Sequence, residues 1–283
     1  MSTSVATSSW TRVGKVRPGA LTDARLQLHH AAQIAVSAAI SYVAARSDDS
    51  HTALTWIAPL RALATEPITA TRPFRIAVRV EDLTLLAIDE KGLATRSFAL
   101  PGHTVAEGQA WLVEALAQFA LDPVRFTARK HYTIPPHSVA SGAVFSLDSG
   151  ADLHELSAYW SNAADLLVAL AQTTNGAGPV RTWPHHLDIA TLIQLPGTVG
   201  RTIGVGQSPG DDSYAEPYWY VGPYPYPAVT ALPSLAGSGH WHTQGWVGAV
   251  LSASDYVSAP DQRSQVTAFI DSAVGACRQL LGA

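Results

Sequence analysis

Two pairs of side chains in the C-terminal half of the sequence have spacings that are typical of catalytic or metal-binding residues. His186 and Asp188 lie in "WPHHLD", and His240 and His242 lie in "GHWHTQGW". On a β-strand, residues two apart share one face, with Cα atoms roughly 6.5–7 Å apart. A His-x-Asp followed later in the chain by a histidine is the order of a metal centre with two histidines and one carboxylate. The spacing therefore gives one alternative for this site, a divalent metal such as Fe or Zn that is bound by His186, Asp188 and His240 or His242.

The residues that follow these pairs fit metal-dependent oxygenases poorly, so a metal-free site is the first hypothesis. A 2-oxoglutarate oxygenase has an arginine on a strand soon after its last histidine, whereas the next arginine here is Arg263. A cupin has an acid shortly after its His-x-His, and Gln244 stands there instead. We expect His186 to act as a general base that is oriented by Asp188 or Glu216.

The stretch "SPGDDSYAEPYWYVGPYPYP" combines acids with aromatics and predicts one wall of a pocket. Tyrosine and tryptophan offer large rigid surfaces with a polar tip. Acids beside them suit an amine, another cation or a hydroxylated molecule, so we expect a small polar ligand. The expected ligand-binding residues are Trp183, His185, Asp211, Asp212, Tyr218 and Trp246. A non-catalytic binding module that uses the same aromatic groove is a further alternative.

Two glycine-containing motifs in this region are excluded by their own residues. "GQSPG" fits the nucleophile elbow of serine hydrolases. The oxyanion hole of that motif needs the backbone N–H after the serine, and Pro209 has none. "GVGQSP" lacks the third glycine and the following helix of a dinucleotide-binding loop. The sequence therefore argues against both a serine hydrolase and a nucleotide-binding fold.

Composition and charge exclude two classes of partner. The chain has 22 acids against 18 lysines and arginines, with a formal net charge of -4, and carries no basic stripe for nucleic acid. The uncharged run from Leu26 to Ala45 has a polar stripe, which predicts a buried helix and no membrane span. The polar segment 1–24 lacks the apolar run of a signal peptide, so we expect a loose leader and a cytoplasmic protein. The oligomeric state is not indicated.

The order of predicted helices and strands around these residues indicates an α+β fold with two similar halves. Residues 25–145 read as a helix, antiparallel strands and a second helix, and residues 146–283 repeat that order and carry the candidate site. Alternation in "FRIAVRV", "LTLLAID" and "LATRSFAL" predicts a three-stranded meander, and Thr104 with Glu107 predicts a helix that starts with a capping box. The repeated order indicates an internal duplication with the ligand cleft between the halves.

The two halves share little sequence beyond one short match. "DDSHTALTW" in the first half and "DDSYAEPYW" in the second have four identities in nine positions. Chance and local turn chemistry are both sufficient explanations of a match this short.

Several longer segments resemble an uncharacterised bacterial family, a domain of unknown function. They are "LHHAAQ", "LTWIAPLRALATEPI" with "FRIAVRVEDLTLLAI", "WPHHLDIA", "SPGDDSYAEPYWYV" and "WHTQGW". Singly each segment is weak, but together they are specific, and they cover the chain from about Leu28 to the last helix. The resemblance implies no particular reaction, cofactor or fold.

Overall fold

The computed structural model describes residues 10–148, 150–197 and 200–282, and it confirms the α+β fold. These residues form five α-helices: α1 (Thr22–Tyr42), α2 (Val105–Ala117), α3 (Gly150–Thr173), α4 (Ala253–Tyr256) and α5 (Gln262–Leu281). Within the described ranges, no helix has the combined length and apolar character needed to cross a membrane.

The first half builds a five-stranded antiparallel sheet in which neighbouring strands follow one another along the chain. The strands are β1 (Thr55–Ile57), β2 (Ala62–Ala64), β3 (Phe74–Arg79), β4 (Thr84–Asp89) and β5 (Ala94–Ala99). The predicted meander is confirmed as β3 to β5, with Gly92 in the left-handed conformation at the second turn. The capping box at the start of α2 is also confirmed, because Thr104 and Glu107 each accept the other's backbone N–H.

The second half builds a six-stranded antiparallel sheet. Its strands are β6 (Arg181–Trp183), β7 (Asp188–Gln194), β8 (Thr202–Ser208), β9 (Tyr218–Tyr224), β10 (His240–His242) and β11 (Gly248–Ser252), in the spatial order β10, β11, β9, β8, β7, β6. The interior strand β9 runs through the aromatic stretch. It tolerates Pro223 because β11 pairs with β9 only from Tyr218 to Val221, so that Pro223 has a partner strand on one side only.

Among the described residues, the two sheets meet edge to edge at a bridge between Leu54 and Thr182. The N–H of Leu54 donates to the Thr182 carbonyl at 2.8 Å, and the N–H of Thr182 donates back at 2.7 Å. The helix α1 packs on β3, α3 packs on β7 and β8, and α5 packs on β9. The main hydrophobic core lies between these helices and the joined sheets.

Both halves show the order helix, sheet, helix, but the short sequence match does not support a duplication. The segment 48–56 leads into β1, the first strand of its sheet, whereas the segment 211–219 connects β8 to β9 inside the second sheet. The two sheets also differ in their number of strands. The duplication therefore stays a prediction.

The chain just before α1 is held in place by the second half. Trp10 Nε1 donates to Gln262 Oε1 at 3.1 Å. The backbone of Thr11 exchanges hydrogen bonds with the side chain of Asn162 at 2.9 and 2.7 Å. Residues 1–9 of the expected loose leader lie outside the described residues, whereas the segment that begins at Trp10 is docked on α3 and α5.

Candidate functional site

The candidate site lies on the face of the second sheet that points away from α3 and α5. Side chains alternate between the two faces of a strand. Val205 on β8 and Val221 on β9 belong to the core beneath the helices. Ser208, Tyr218 and Tyr220 have the opposite parity on the same two strands, and Ser208 is the register partner of Tyr218. Polar and aromatic side chains therefore gather on this second face.

Tyr220 crosses the neighbouring strand β8 to reach Asp188 on β7. Its crossing point is Gly206, its register partner. A Cβ atom at Gly206 would lie 2.5 Å from the Tyr220 hydroxyl oxygen and 2.8 Å from the Cβ of Ala190. Because glycine leaves this space empty, the Tyr220 hydroxyl can donate a hydrogen bond to Asp188 Oδ2.

Asp188 is the buried acid of the site, with 8% of its surface exposed. Burial raises the pKa of its carboxyl group, and the hydrogen bond from Tyr220 opposes that shift. Burial likewise raises the pKa of Tyr220 well above its ordinary value, so this side chain stays a phenol donor at neutral pH. These two residues line a cavity of about 240 Å³. Its lining is completed by His186, Ser208, Asp211, Tyr218 and Trp246.

Asp211 organises the loop between β8 and β9 and also faces the cavity. Its Oδ1 accepts from the backbone N–H groups of Ser213 and Tyr214 at 2.8 and 3.0 Å, which shapes the turn. Its Oδ2 accepts from the Tyr218 hydroxyl at 2.5 Å. Burial is the largest cause that raises the pKa of Tyr218. Asp188 and Asp211 are therefore both acids held by a tyrosine hydroxyl.

Two polar side chains of α1, those of His29 and Gln33, fix the turn between β6 and β7. The Pro184 carbonyl accepts from His29 Nε2 at 2.9 Å and from Gln33 Nε2 at 2.8 Å, while Gln33 Oε1 accepts from the Tyr132 hydroxyl at 2.8 Å. A carbonyl can only accept, so Nε2 of His29 carries the proton. Burial lowers the pKa of His29 to about 4, which leaves its ring neutral at pH 7.

His185 and His186 project from this turn, and their ring centroids lie 4.5 Å apart. The prediction that His186 shares a strand face with Asp188 is wrong, because His186 belongs to the turn and β7 begins at Asp188. The chain reverses here through Leu187, which takes the left-handed conformation with φ of 58°. His186 and Asp188 nevertheless line the same cavity.

A larger cavity of about 530 Å³ adjoins the first and shares His186, Asp211 and Trp246 with it. The first half contributes Arg25 and His29 from α1. Residues 133–136 from the connector after α2 form another part of its wall, and the second half adds further residues, among them His185 and Asp212. The combined cleft is thus lined by both halves of the chain.

His240 and His242 share one face of the edge strand β10, as their spacing predicted, but they bond to Tyr214. The Tyr214 hydroxyl lies 3.2 Å from His240 Nε2 and 3.0 Å from His242 Nδ1. The Gln244 carbonyl accepts from His242 Nε2 at 2.6 Å, so His242 Nδ1 accepts from Tyr214. His242 also stacks on Trp246 with ring centroids 4.3 Å apart.

The four predicted metal ligands form two separate groups, with His186 and Asp188 at the smaller cavity and His240 and His242 at Tyr214. In the part of the chain that the structure describes, no three histidine, cysteine, aspartate or glutamate side chains are grouped so that they could hold a metal ion.

Among the described residues, Glu216 and Trp183 are predicted site residues that, like His240 and His242, line neither cavity. The Glu216 carboxylate accepts from the backbone N–H of Ser254 at 3.0 Å and from its hydroxyl at 2.5 Å, at the start of α4. Trp183 ends β6 and meets the His185 ring edge to face at 6.2 Å. Glu216 thus stabilises a helix end, and Trp183 supports the turn that carries the histidines.

Arg25 and Tyr220 are cavity residues that the sequence did not indicate. Tyr220 stands in the quoted aromatic stretch, but only the crossing over Gly206 brings it to Asp188. Arg25 is near the start of α1, where a charged residue is ordinarily solvated. A glycine inside a strand often marks a place where another group approaches closely, so Gly206 is the one sequence signal that could have pointed to Tyr220.

Comparison of the chain with protein-family models, with curated proteins and with solved structures finds no match.

Proposed function

We propose that the chain is an enzyme that binds a small polar molecule in the adjoining cavities and transfers a proton with His186 and Asp188. One observation carries the proposal. The buried carboxyl group of Asp188, whose pKa is raised by burial, lines the same cavity as the exposed imidazole of His186. Two titratable groups in such different environments are suited to the separate roles of acid and base.

The neighbouring residues have supporting roles in this proposal. His186 accepts a proton from the bound molecule, and Asp188, whose pKa is raised by burial, supplies one. Tyr220 fixes the orientation of the Asp188 carboxyl group through its hydrogen bond. Tyr218 and Trp246 provide aromatic surface against which the ligand packs.

A panel of small amines, amino acids, polyols and sugars tests the proposal. Compounds that raise the melting temperature are incubated with the protein, and their conversion is followed by NMR. We expect His186→Ala and Asp188→Asn to abolish conversion, and His186→Ala to melt near the wild type because its side chain is exposed. His240→Ala is the matched control, since it removes a histidine outside both cavities. Full conversion by the His186→Ala and Asp188→Asn variants would overturn the proposal.

A non-catalytic binding protein is the second candidate, and one observation favours it. Both acids of the smaller cavity are already engaged by tyrosine hydroxyls, an arrangement that suits recognition of a ligand as well as chemistry. The same experiment separates the two functions. A compound that stabilises the wild type, fails to stabilise Asp188→Asn and is recovered unchanged supports the binding protein.

A further inference from the structure

Arg25 is a buried arginine in the wall of the larger cavity, with 8% of its surface exposed. Its Nη1 donates to the Gly210 carbonyl, while its Nε is buried without a hydrogen-bond partner. A guanidinium group has five N–H donors and keeps its charge in proteins. The protein therefore satisfies only part of the hydrogen-bonding capacity of Arg25.

The charge of Arg25 is also compensated only from a distance. Asp211 and Asp212 are the acids whose charge acts on it, against the lowering of its pKa by burial. Among the described residues, no carboxylate oxygen forms an ion pair with Arg25 within 4 Å. The Asp211 carboxylate instead accepts hydrogen bonds from the loop and from Tyr218. A buried cation without a contacting anion is costly, and the oxygens of a ligand can relieve that cost.

The smaller cavity has the opposite character. Asp188 and Asp211 are its acids, Trp246 adds an aromatic surface, and its described lining contains no lysine or arginine. Such a chamber favours an ammonium group, which can contact a carboxylate and the face of an indole ring together. The two adjoining cavities thus favour groups of opposite charge.

We infer that the ligand is a small zwitterion, an amino acid or a related aminocarboxylic acid. Its carboxylate binds Arg25 in the larger cavity, and its ammonium group faces the carboxylate of Asp211 in the smaller one, beside Asp188. This inference rests on the proposed function, because it names the ligand class of the same site. It makes Arg25 the residue that determines specificity for the anionic end.

Calorimetric titration with matched probes tests this inference on the full-length protein. The probes are L-amino acids, their amides, their N-acetyl derivatives, acetate and inorganic phosphate. The amides lack the carboxylate, and the N-acetyl derivatives lack the ammonium group. We expect at least one amino acid to bind about tenfold or more tightly than both of its derivatives. Equal binding of the derivatives, or binding of acetate or phosphate alone, would overturn the inference.

Arg25→Met and Arg25→Lys separate the role of Arg25 from general effects on folding. Arg25→Met should reduce the affinity for the amino acid to that of its amide and leave the affinity for the amide unchanged. Arg25→Lys keeps the charge without the two-pronged geometry and should give an intermediate loss. Arg75→Met is the matched control, because Arg75 is half-buried, likewise donates to a backbone carbonyl, that of Thr65 at 2.6 Å, and lines a different cavity. If Arg25→Met does not fold, the affinities of the wild type for the amino acids and for their derivatives still test the inference.

Failure of the ligand class and failure of the site give different results. If a polyol or an amide binds, and His186→Ala or Asp188→Asn weakens that binding while no amino acid binds, the cleft stands and the zwitterion is wrong. If no probe responds to any of these substitutions, both the inference and the proposed function are wrong.

Discussion

At the scale of single residues, the absence of a side chain at Gly206 allows the Tyr220 hydroxyl to reach the buried carboxyl group of Asp188. Tyr220 spans β8 only because nothing occupies the space above Gly206, and Asp188 then receives its hydrogen bond. Removing that donor would leave a buried carboxyl group without its partner, which is more costly than the bond itself. The geometry of the acid thus depends on a residue that makes no polar contact with it.

Replacement of Gly206 by alanine should therefore displace Tyr220. We expect the Gly206→Ala variant to lose about 1–3 kcal/mol of unfolding free energy, and to lose the ligand-induced rise in melting temperature. Urea denaturation and thermal-shift measurements check both effects.

The control for this experiment is available on the same strand and face. A Cβ atom at Gly204 would have the Gly222 carbonyl oxygen, at 3.9 Å, as its nearest neighbour. Gly204→Ala should therefore be nearly neutral. Equal effects of the two substitutions would contradict the role assigned to Gly206.

His29 should make stability depend on pH between its unfolded and folded pKa values. Burial lowers its pKa from 6.5 to about 4. Within this window the unfolded chain binds a proton that the folded chain does not, so the free energy of unfolding falls as the pH drops. We expect wild type to lose about 3 kcal/mol more than His29→Gln between pH 7 and pH 4, as measured by urea denaturation. Above pH 7, where neither state binds this proton, the difference in unfolding free energy between wild type and His29→Gln should not change with pH.

At the scale of elements, regular alternation and capping chemistry could be predicted, whereas contacts between elements could not. The meander β3 to β5 and the start of α2 follow from local patterns. The prolines in the aromatic stretch argue against a strand there, yet β9 forms. Pro223 lies beyond the end of the pairing with β11, and this position depends on the neighbouring strand, so the sequence of β9 alone does not reveal it. The acid Glu216 was assigned to catalysis because it is near aromatics in sequence, but its partner is Ser254.

Glu216→Gln should accordingly affect the start of α4 and not the chemistry. We expect a loss of about 1 kcal/mol of unfolding free energy, because a charged acceptor at a helix start is replaced by a neutral one. Ligand binding and conversion should be unchanged. Ser254→Ala should give a similar loss, and the double variant should lose less than the sum of the two. Abolished conversion at unchanged stability would instead restore Glu216 as a catalytic residue.

At the scale of the whole molecule, the cleft exists because the two halves are joined. The first half contributes Arg25 and His29, and the second contributes the acids and the histidine turn. Backbone from the second half is bonded to the first at the Leu54–Thr182 bridge, at the Pro184 carbonyl and at the Gly210 carbonyl, among other points. The sequence could predict the neighbourhood of the site in the second half, since those residues are close along the chain. Residues that approach from α1 are determined by docking and leave no local pattern.

Joined sheets and a shared core predict a single cooperative unfolding transition. Circular dichroism and tryptophan fluorescence should give coincident urea curves. Leu54→Ala, a large-to-small change in the core of the first half, should cost about 2–5 kcal/mol and shift both curves equally. Two transitions, of which only one responds to Leu54→Ala, would show that the halves unfold independently.

The bonds from α1 to Pro184 and Gly210 also bear on synthesis of the protein. His29 and Gln33 are 155 and 151 residues from Pro184, and Arg25 is 185 residues from Gly210. The helix α1 therefore leaves the ribosome long before its partners are translated, at about 5–20 residues per second. Until then water takes the place of these carbonyls at Arg25, His29 and Gln33, and these polar side chains keep the otherwise apolar helix from being a fully hydrophobic nascent segment.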